Sequence, residues 1–390
     1  MKIGIVGAGP AGLYTAILVK KRQPDWPVVV IEQNPQDATF GWGVVLADTG
    51  LNKLHAADAA THDALVAQMV FNDRQALVHQ HTPVLVKRPK IGGAISRIDL
   101  LATLQTAAVV AGVEIRYKTR IGSLADIDSA GLADAEVVIG ADGVNSVVRA
   151  ALETELGTTR TLLNNRFAWF GTERVFAHPA LVFRTHLGGG FVAHYYPYSK
   201  THSTFVGECD ETAWTSLDME SMSDADRQAL IETLYAPELE GYPLISNQAP
   251  GTSPWRRFPV IQNARWSSGR YVLLGDAQTS AHFSIGSGTH IAMEDAIALA
   301  DALVDDTQSV AERLQRFEAA RGPEKAKLIG ASKRSYDWYE QVGEWIERYN
   351  APDFVYAFMT RTGRVDDARL AAQFPDLMAQ LGRARRATEP

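Results

Sequence analysis

KIGIVGAGPAGLYTAILVKK, residues 2–21, decides the fold. The apolar run Lys2–Val6 stops at Gly7, which predicts a short buried strand. From Ala11 to Lys21 the spacing is helical, with Leu13, Ala16, Ile17 and Lys20 near one face. A second β-branched run, Val28 to Glu32, follows. Strand, helix and strand make a βαβ unit, the mark of a parallel sheet covered by helices. The joint between the first strand and the helix reads GAGPAG, residues 7–12.

That joint matches G-x-G-x-x-G. The match alone says little, but here it follows a strand, opens a helix and precedes an acidic residue, Glu32, at the end of the next strand. Gly7 permits the tight turn. Gly9 lets the backbone approach a pyrophosphate at the helix N-terminus, with Ala11 in the first turn. Gly12 allows close packing of helix on strand. Glu32, with Gln33 beside it, can accept hydrogen bonds from a ribose diol. The alternatives are a glycine-rich turn with no ligand and a domain that has lost its cofactor.

Two further clusters lie outward along the chain. ADGVNSVVR, residues 141–149, follows the apolar run VVIG. Gly143 suits a tight strand-to-helix turn, and Asp142 is a polar group where a core does not want one. The plain alternative is a capped helix start, with Asn145 or Ser146 as the cap. GDAQTSAHFSIGSGT, residues 275–289, follows YVLL. Asp276 stands just after a strand, placed to accept a hydrogen bond from a chain of hydroxyls. Gly286, Gly288 and Thr289 then open a helix whose free amides and positive dipole end suit an electron-rich ring. A flavin needs both, so the third cluster is expected to hold the flavin half of FAD and the first its ADP half.

Elsewhere, residues 97–112 predict an amphipathic helix closed by Gly112, and 113–117 and 136–139 predict strands. From about Arg166 to Ser267 the runs FAWFGTERVF, LVFRTHL, FVAHYYPYS and STFVGECDE predict antiparallel sheet. Helical patterns dominate after Gly288. The expected architecture is α/β: a Rossmann-like domain (1–75, 95–165, 268–335), interleaved with a β-rich substrate domain (76–94, 166–267) and followed by C-terminal helices (336–390).

Bulk properties narrow the class. Charged residues make up 21% of the chain and the net charge is -7, with no basic block, which argues against nucleic acid as a partner. Cys209 is the only cysteine, so there is no internal disulfide and no cysteine-rich metal site. No stretch approaches the roughly 20 apolar residues of a membrane span. A cytoplasmic monomer or homodimer without a metal is expected.

GAGPAG with Glu32, SRIDLLATL with Arg97, ADGVNSVVR, and LLGDA before a glycine-rich helix start together resemble the class A flavoprotein aromatic hydroxylases, whose fold is that of para-hydroxybenzoate hydroxylase. The resemblance is ordered and spans nearly the whole chain. It implies FAD, NADH or NADPH as reductant, O2 as co-substrate and ring oxygenation through a flavin C4a-hydroperoxide. It places Arg97 near the FAD pyrophosphate and Asp142 in a motif tied to FAD and pyridine nucleotide. One departure is Ser284, near a position where many members carry Pro. HFSIG, FGWGVVLAD (residues 40–48), LVFRTHL and FVAH resemble a narrower branch. That branch includes salicylyl-CoA 5-hydroxylase, the monooxygenase part of 2-aminobenzoyl-CoA monooxygenase/reductase, and the violacein-pathway indole hydroxylase. An aryl-CoA thioester is the first substrate expectation and an indole the second. A flavin-dependent halogenase or reductase, and a vestigial binding protein, are the competing classes.

The candidate site residues follow from this frame. Trp42 and Gly43 are expected against the flavin. His194 and Tyr196, two apart on a predicted strand, share a face and can line the pocket, the alternative being a solvated strand face. His282 can orient substrate or take a phenolic proton, its ordinary pKa suiting pH 7. Trp169, Phe183 and His186 are further pocket candidates; in β-rich sequence such residues are also ordinary core. A CoA thioester needs a local basic patch, offered by Lys87 and Arg88 or by Arg256 and Arg257.

Overall fold

A computed structural model describes residues 1–38, 41–87, 92–248, 252–286 and 288–388, with side chains described through Leu381. Chain order begins β1 (Ile3–Val6), α1 (Pro10–Arg22), β2 (Val28–Ile31), β3 (Gly43–Leu46), β4 (Arg74–His79), β5 (Thr82–Lys87) and α2 (Arg97–Val110). It continues β6 (Val137–Gly140), β7 (Thr158–Thr172), β8 (Ala180–His186), β9 (Gly189–Pro197), β10 (Ser203–Cys209), β11 (Trp255–Asn263) and β12 (Tyr271–Leu273). Three long helices follow among others: α3 (Gly288–Leu303), α4 (Val310–Tyr339) and α5 (Ala351–Thr360).

β1 lies between β2 and β6 in a six-stranded sheet, parallel to both, and β12 extends it beyond β6. Ile3 and Ile5 are fully buried, as are Val30, Val137 and Ile139. Such strands read as unbroken apolar runs because helices cover both faces. α1 packs its buried Leu13, Ala16 and Ile17 against this core, and α3 adds Met293, Ala296 and Leu299. The strand, glycine turn and helix at the N-terminus therefore form as the sequence indicates.

The second sheet has seven strands, ordered β11-β7-β10-β9-β8-β4-β5. It is antiparallel except where β8 runs parallel to β4. That one parallel pair departs from the purely antiparallel expectation. It arises because β4 arrives from far upstream rather than by a hairpin. The section 166–267 also contains helices that its aromatic runs concealed. Trp214, Ile231, Tyr235 and Leu239 from these helices cover one face of the sheet with Phe170, Phe191, Tyr195 and Phe205. The opposite face is shared between the parallel-sheet body and the C-terminal helices.

Candidate functional site

Directly paired residues of an antiparallel sheet point the same way. Leu181, His194, Val206 and Trp169 therefore form one row across β8, β9, β10 and β7. Phe183, Val192, Glu208, Phe167 and Arg256 form the next, and Tyr196, Thr204 and Gly171 a third. All lie on the face away from the Trp214 cluster. His194 and Tyr196 do share that face, and both are at least half-buried.

The two bodies meet at the third row. Tyr196 Oη donates to the Gly43 carbonyl at 2.8 Å, and the Gly43 N–H donates to Thr204 Oγ1 at 2.8 Å. A Cβ on Gly43 would lie 2.6 Å from the Tyr198 ring. Burial raises the Tyr196 phenol far above its ordinary pKa. Tyr196, expected to line the pocket, thus clamps a backbone loop with its hydroxyl. The Trp42 ring lies flat against Gly171, leaving no room there for a Cβ. Its indole is turned to the sheet, and its buried Nε1 has no partner among the described residues.

The three glycine clusters converge on one side of the parallel sheet. Gly7, at φ +104°, lies against the backbone of Ala141 and Asp142, so the first and second clusters touch. Gly12 closes on the Gly7 carbonyl, where a Cβ would overlap it. Gly9, Gly143 and Gly286, by contrast, have open space where a Cβ would stand. Arg149 donates to the carbonyls of Ala277 (3.0 Å) and Val144 (2.6 Å), tying the second cluster to the third. Ser146 caps its short helix, the plain alternative read from the sequence, and Asp142 Oδ2 accepts from the Val147 N–H at 2.7 Å. Asp142 Oδ1 is buried with no partner among the described residues.

Glu32 accepts from the N–H groups of Ala8 (2.9 Å) and Asn34 (2.8 Å). Asn34 Nδ2 also donates to Oε1 at 2.8 Å, so the carboxylate is fixed beside the glycine turn with a lone pair of Oε2 still free; Gln33 is exposed next to it. Arg97 begins α2, its N–H on the Trp42 carbonyl, and its guanidinium has no hydrogen-bond acceptor among the described residues. Burial lowers its pKa and the charge of Asp276 opposes this. Asp276 itself makes no side-chain hydrogen bond among the described residues. Asp276 is exposed to solvent, though many protein atoms surround its carboxylate. Burial there raises its pKa, against the pull of Arg97 and Lys325. Beyond it Gly286, at φ +60°, leads to Gly288 and Thr289 at the start of α3.

An open glycine cradle, a hydrogen-bonded carboxylate at one end and a free one at the other, an unpaired arginine and the N-terminus of a long helix fit FAD. Gly9 would take the pyrophosphate, Glu32 the ribose, Asp276 the ribityl chain and the α3 terminus the flavin ring.

His282 caps the turn after Asp276, with Nδ1 2.8 Å from Ser284 Oγ. The rings of Phe258 and Phe283 enclose it. Burial drives its pKa down to about 4, so it is neutral at pH 7. The expectation that its pKa suits pH 7 is corrected: an imidazole sealed among aromatics resists the charge that exposure allows. Phe283 also meets His194 edge-on, at 5.4 Å between centroids. His194 Nε2 lies 3.0 Å from Oε2 of Glu208, a residue outside the motifs of the sequence.

Other candidates land elsewhere. Trp169 is in the His194 row, with an unpartnered buried Nε1. Phe183 is fully buried beneath Phe354, Phe358 and Trp338, so the C-terminal helices take it out of the pocket and into core. His186 sits at the end of β8 remote from Tyr196, beside the turn to β9. Arg257 is occupied by the carbonyls of Leu163 and Leu162 and by Asn164 Oδ1. Arg256 is exposed, bonded to Gln248 Oε1 at 3.0 Å and without a carboxylate partner among the described residues. Lys87 is exposed on β5 at the opposite sheet edge, six strand spacings or roughly 29 Å away. Lys87 and Arg256 therefore cannot form one patch. Arg88 lies outside the described residues.

Charged residues under the third cluster come from helices α3 and α4, and no local motif marks them. Lys325 (2% exposed) contacts Gln278 Oε1 and fully buried Asp295, and Arg321 pairs with Asp295 and Glu294. Among the described residues, His55, His62 and Asp63 bring donor atoms within 4.8 Å of one another, at the surface and apart from this site.

Comparison with known proteins agrees with this geometry. The FAD-binding domain family model matches residues 1–332. Salicyloyl-CoA 5-hydroxylase of Streptomyces sp. is 36% identical over 376 residues, 93% of this chain and 70% of the relative. Protodeoxyviolaceinate monooxygenase of Chromobacterium violaceum is 34% identical, covering 93% and 94%. A 3-hydroxy-4-methyl-anthranilyl-[aryl-carrier protein] 5-monooxygenase of Streptosporangium sibiricum is 32% identical, covering 88% and 90%. The crystal structure of 2-methyl-3-hydroxypyridine-5-carboxylic acid oxygenase superposes with a TM-score of 0.67 over 95% of each chain, at 18% identity, which speaks to the fold. Among the described residues no helix is long and apolar enough to cross a membrane.

Proposed function

We propose a substrate for an enzyme whose class is shown: the chain belongs to the FAD-binding domain family and is an FAD-dependent aromatic monooxygenase using NAD(P)H. Its ring substrate is an aromatic acid carried as a thioester, salicylyl-CoA or 2-aminobenzoyl-CoA. The observation that carries this reading is Arg256. It is an exposed guanidinium with no carboxylate partner among the described residues, on the edge strand of the face that bears Phe167, Glu208 and His194. Such a group at a rim suits the phosphates of CoA, on a protein whose net charge of -7 otherwise repels them. Two of the relatives are named for rings attached to a carrier, CoA in one and a protein in the other.

Bound FAD, reduced by NAD(P)H, supplies the activation of O2. The chain's own residues bind, orient and exclude water. Asp276 and the α3 terminus hold the flavin end, and Glu32 and Gly9 the adenosine end. The Tyr196 and Thr204 clamp fixes the loop carrying Trp42. Half-buried Phe258 and Phe283, with Phe167, present an apolar surface to an aromatic ring. His194 takes the proton of the ring's activating hydroxyl or amino group, while neutral His282 keeps positive charge away.

A second reading is an indole substrate of the violacein type. The same aromatic surface favours a flat bicyclic ring, and one relative acts in that chemistry by name. The deciding experiment is substrate-stimulated NADH oxidation with added FAD. It compares salicylyl-CoA, 2-aminobenzoyl-CoA, the free acids and tryptophan, with mass analysis for one added oxygen atom. Stimulation by thioesters alone supports the first reading; stimulation by free acids or indoles alone overturns it.

A further inference from the structure

Glu208 is 1% exposed, flanked in its row by Val192 and Phe167, with Phe183 beyond on one side and Arg256 on the edge strand at the other. A carboxylate in such company is costly unless it is paired and hydrogen-bonded. Two groups meet it: His194 Nε2 at 3.0 Å and Asn165 Nδ2 at 3.0 Å. Asn165 reaches it because β7 carries an irregularity, its register against β11 shifting between Leu162 and Arg166. The last turn of α4 secures that irregularity: Glu340 accepts from the N–H groups of Asn164 (2.7 Å) and Asn165 (2.8 Å), and Asn165 Nδ2 also donates to the Tyr339 carbonyl at 2.9 Å. A bulge that bends one strand to deliver one amide is a device for re-aiming a side chain.

We propose that Glu208, supported by Asn165, is the positioning residue for His194. It accepts the Nε2 proton, which leaves the Nδ1 lone pair as the site's proton acceptor. This rests on the reading of His194 given above. His194 Nδ1 has no hydrogen-bond partner among the described residues, and the residue keeps 8% of its surface open. The Tyr339 ring stacks on the imidazole at 5.6 Å and Phe283 meets its edge, so the ring cannot turn freely. When oxygen is delivered to the ring carbon, the substrate's O–H or N–H bond breaks. Its electron pair moves into the ring as the C–O bond forms, and the proton passes to Nδ1; the C–H proton of the oxygenated carbon then shifts to the substituent's oxygen or nitrogen, which restores the aromatic ring. The imidazolium so formed stands against Glu208, and the proton leaves to water with the product. The other charged or titratable groups packed around it are Arg361, which holds the Ser284 carbonyl and lies over Tyr339, and also His282, Tyr339 and Glu340.

The test uses FAD-loaded enzyme. In the wild type, 15N NMR of labelled histidine should find His194 as the Nε2–H tautomer; the Nδ1–H tautomer would overturn the proposal without any variant. Glu208→Gln removes the charge at nearly constant shape. It should move the acid limb of the pH–rate profile down by about one unit and lower kcat about tenfold, with KM and FAD occupancy near wild type. Asn165→Ala should move the limb the same way by less. If Glu208→Gln holds FAD yet leaves the limb and the His194 titration in place, while His194→Asn abolishes turnover, Glu208 is not the positioning residue and the reading of His194 stands. If His194→Asn keeps wild-type kcat and acid limb, that reading itself fails.

Discussion

The Tyr196 hydroxyl and the Gly43 carbonyl, 2.8 Å apart, join the substrate sheet to the body that holds the glycine cradle. Tyr196→Phe leaves that carbonyl without its donor, which costs about 1–3 kcal/mol where water cannot replace it. The loss should appear as a lower melting temperature and as weaker FAD binding, because the loop before Gly43 hydrogen-bonds Arg97. Gly43→Ala, which drives a methyl into the Tyr198 ring, should be worse on both counts. Calorimetry and flavin fluorescence titration measure them.

Gly9 and Gly12 should behave oppositely when replaced by alanine. At Gly12 the methyl overlaps the Gly7 carbonyl, so Gly12→Ala should destabilise the apoprotein by a few kcal/mol, as overpacking does. At Gly9 the methyl enters open space, so Gly9→Ala should leave apoprotein unfolding unchanged and weaken FAD binding tenfold or more. Equal melting-temperature losses would show that the Gly9 opening is not where the cofactor lies.

Asp276 is exposed and its carboxylate makes no hydrogen bond among the described residues, so the apoprotein draws little stability from it. Asp276→Asn should therefore leave apoprotein stability unchanged while weakening FAD affinity at least tenfold. A variant that loses both together would point to a structural task.

His282 has its folded pKa depressed to about 4 from 6.5. The unfolded chain thus binds a proton that the folded chain refuses between those values. The stability tied to the neutral ring is present above pH 6.5 and is lost as pH falls toward 4. Urea unfolding from pH 7 to 4 should show a declining free energy, and His282→Gln should decline less steeply.

Arg256→Gln should raise KM for a CoA thioester about tenfold and leave turnover at saturation unchanged. The wild-type KM should rise with ionic strength and the variant's should not, since an exposed guanidinium acts on phosphate through a screened field.

Much of this molecule is legible in the sequence wherever function depends on neighbours along the chain. GAGPAG, Glu32, Asp276 and the opening of α3 are such local features: a turn, a carboxylate after a strand, a helix start. Their chemistry follows from backbone geometry that a few adjacent residues dictate. The shared face of His194 and Tyr196 was likewise readable, since alternation on a strand is local. Their tasks were not. Tyr196 meets Gly43 across 153 positions, and the partner of His194 is on the next strand, in a register the alternation does not reveal. Glu208 sits in STFVGECDE at the same parity as Val206, a charge on a buried face, and this was the one signal available for it.

The sequence alone determined the parallel sheet, the dinucleotide turn, the cofactor class and the presence of a β-rich insertion, because strand and helix periodicity and glycine placement are short-range constraints. Only the tertiary structure decided which side chains face the site. It sent Phe183 to the core under α5, set Lys87 and Arg256 on opposite edges, lowered the His282 pKa and paired Glu208 with His194. Those outcomes depend on strand order, register and burial, quantities that arise when segments distant in the chain exclude water from one another.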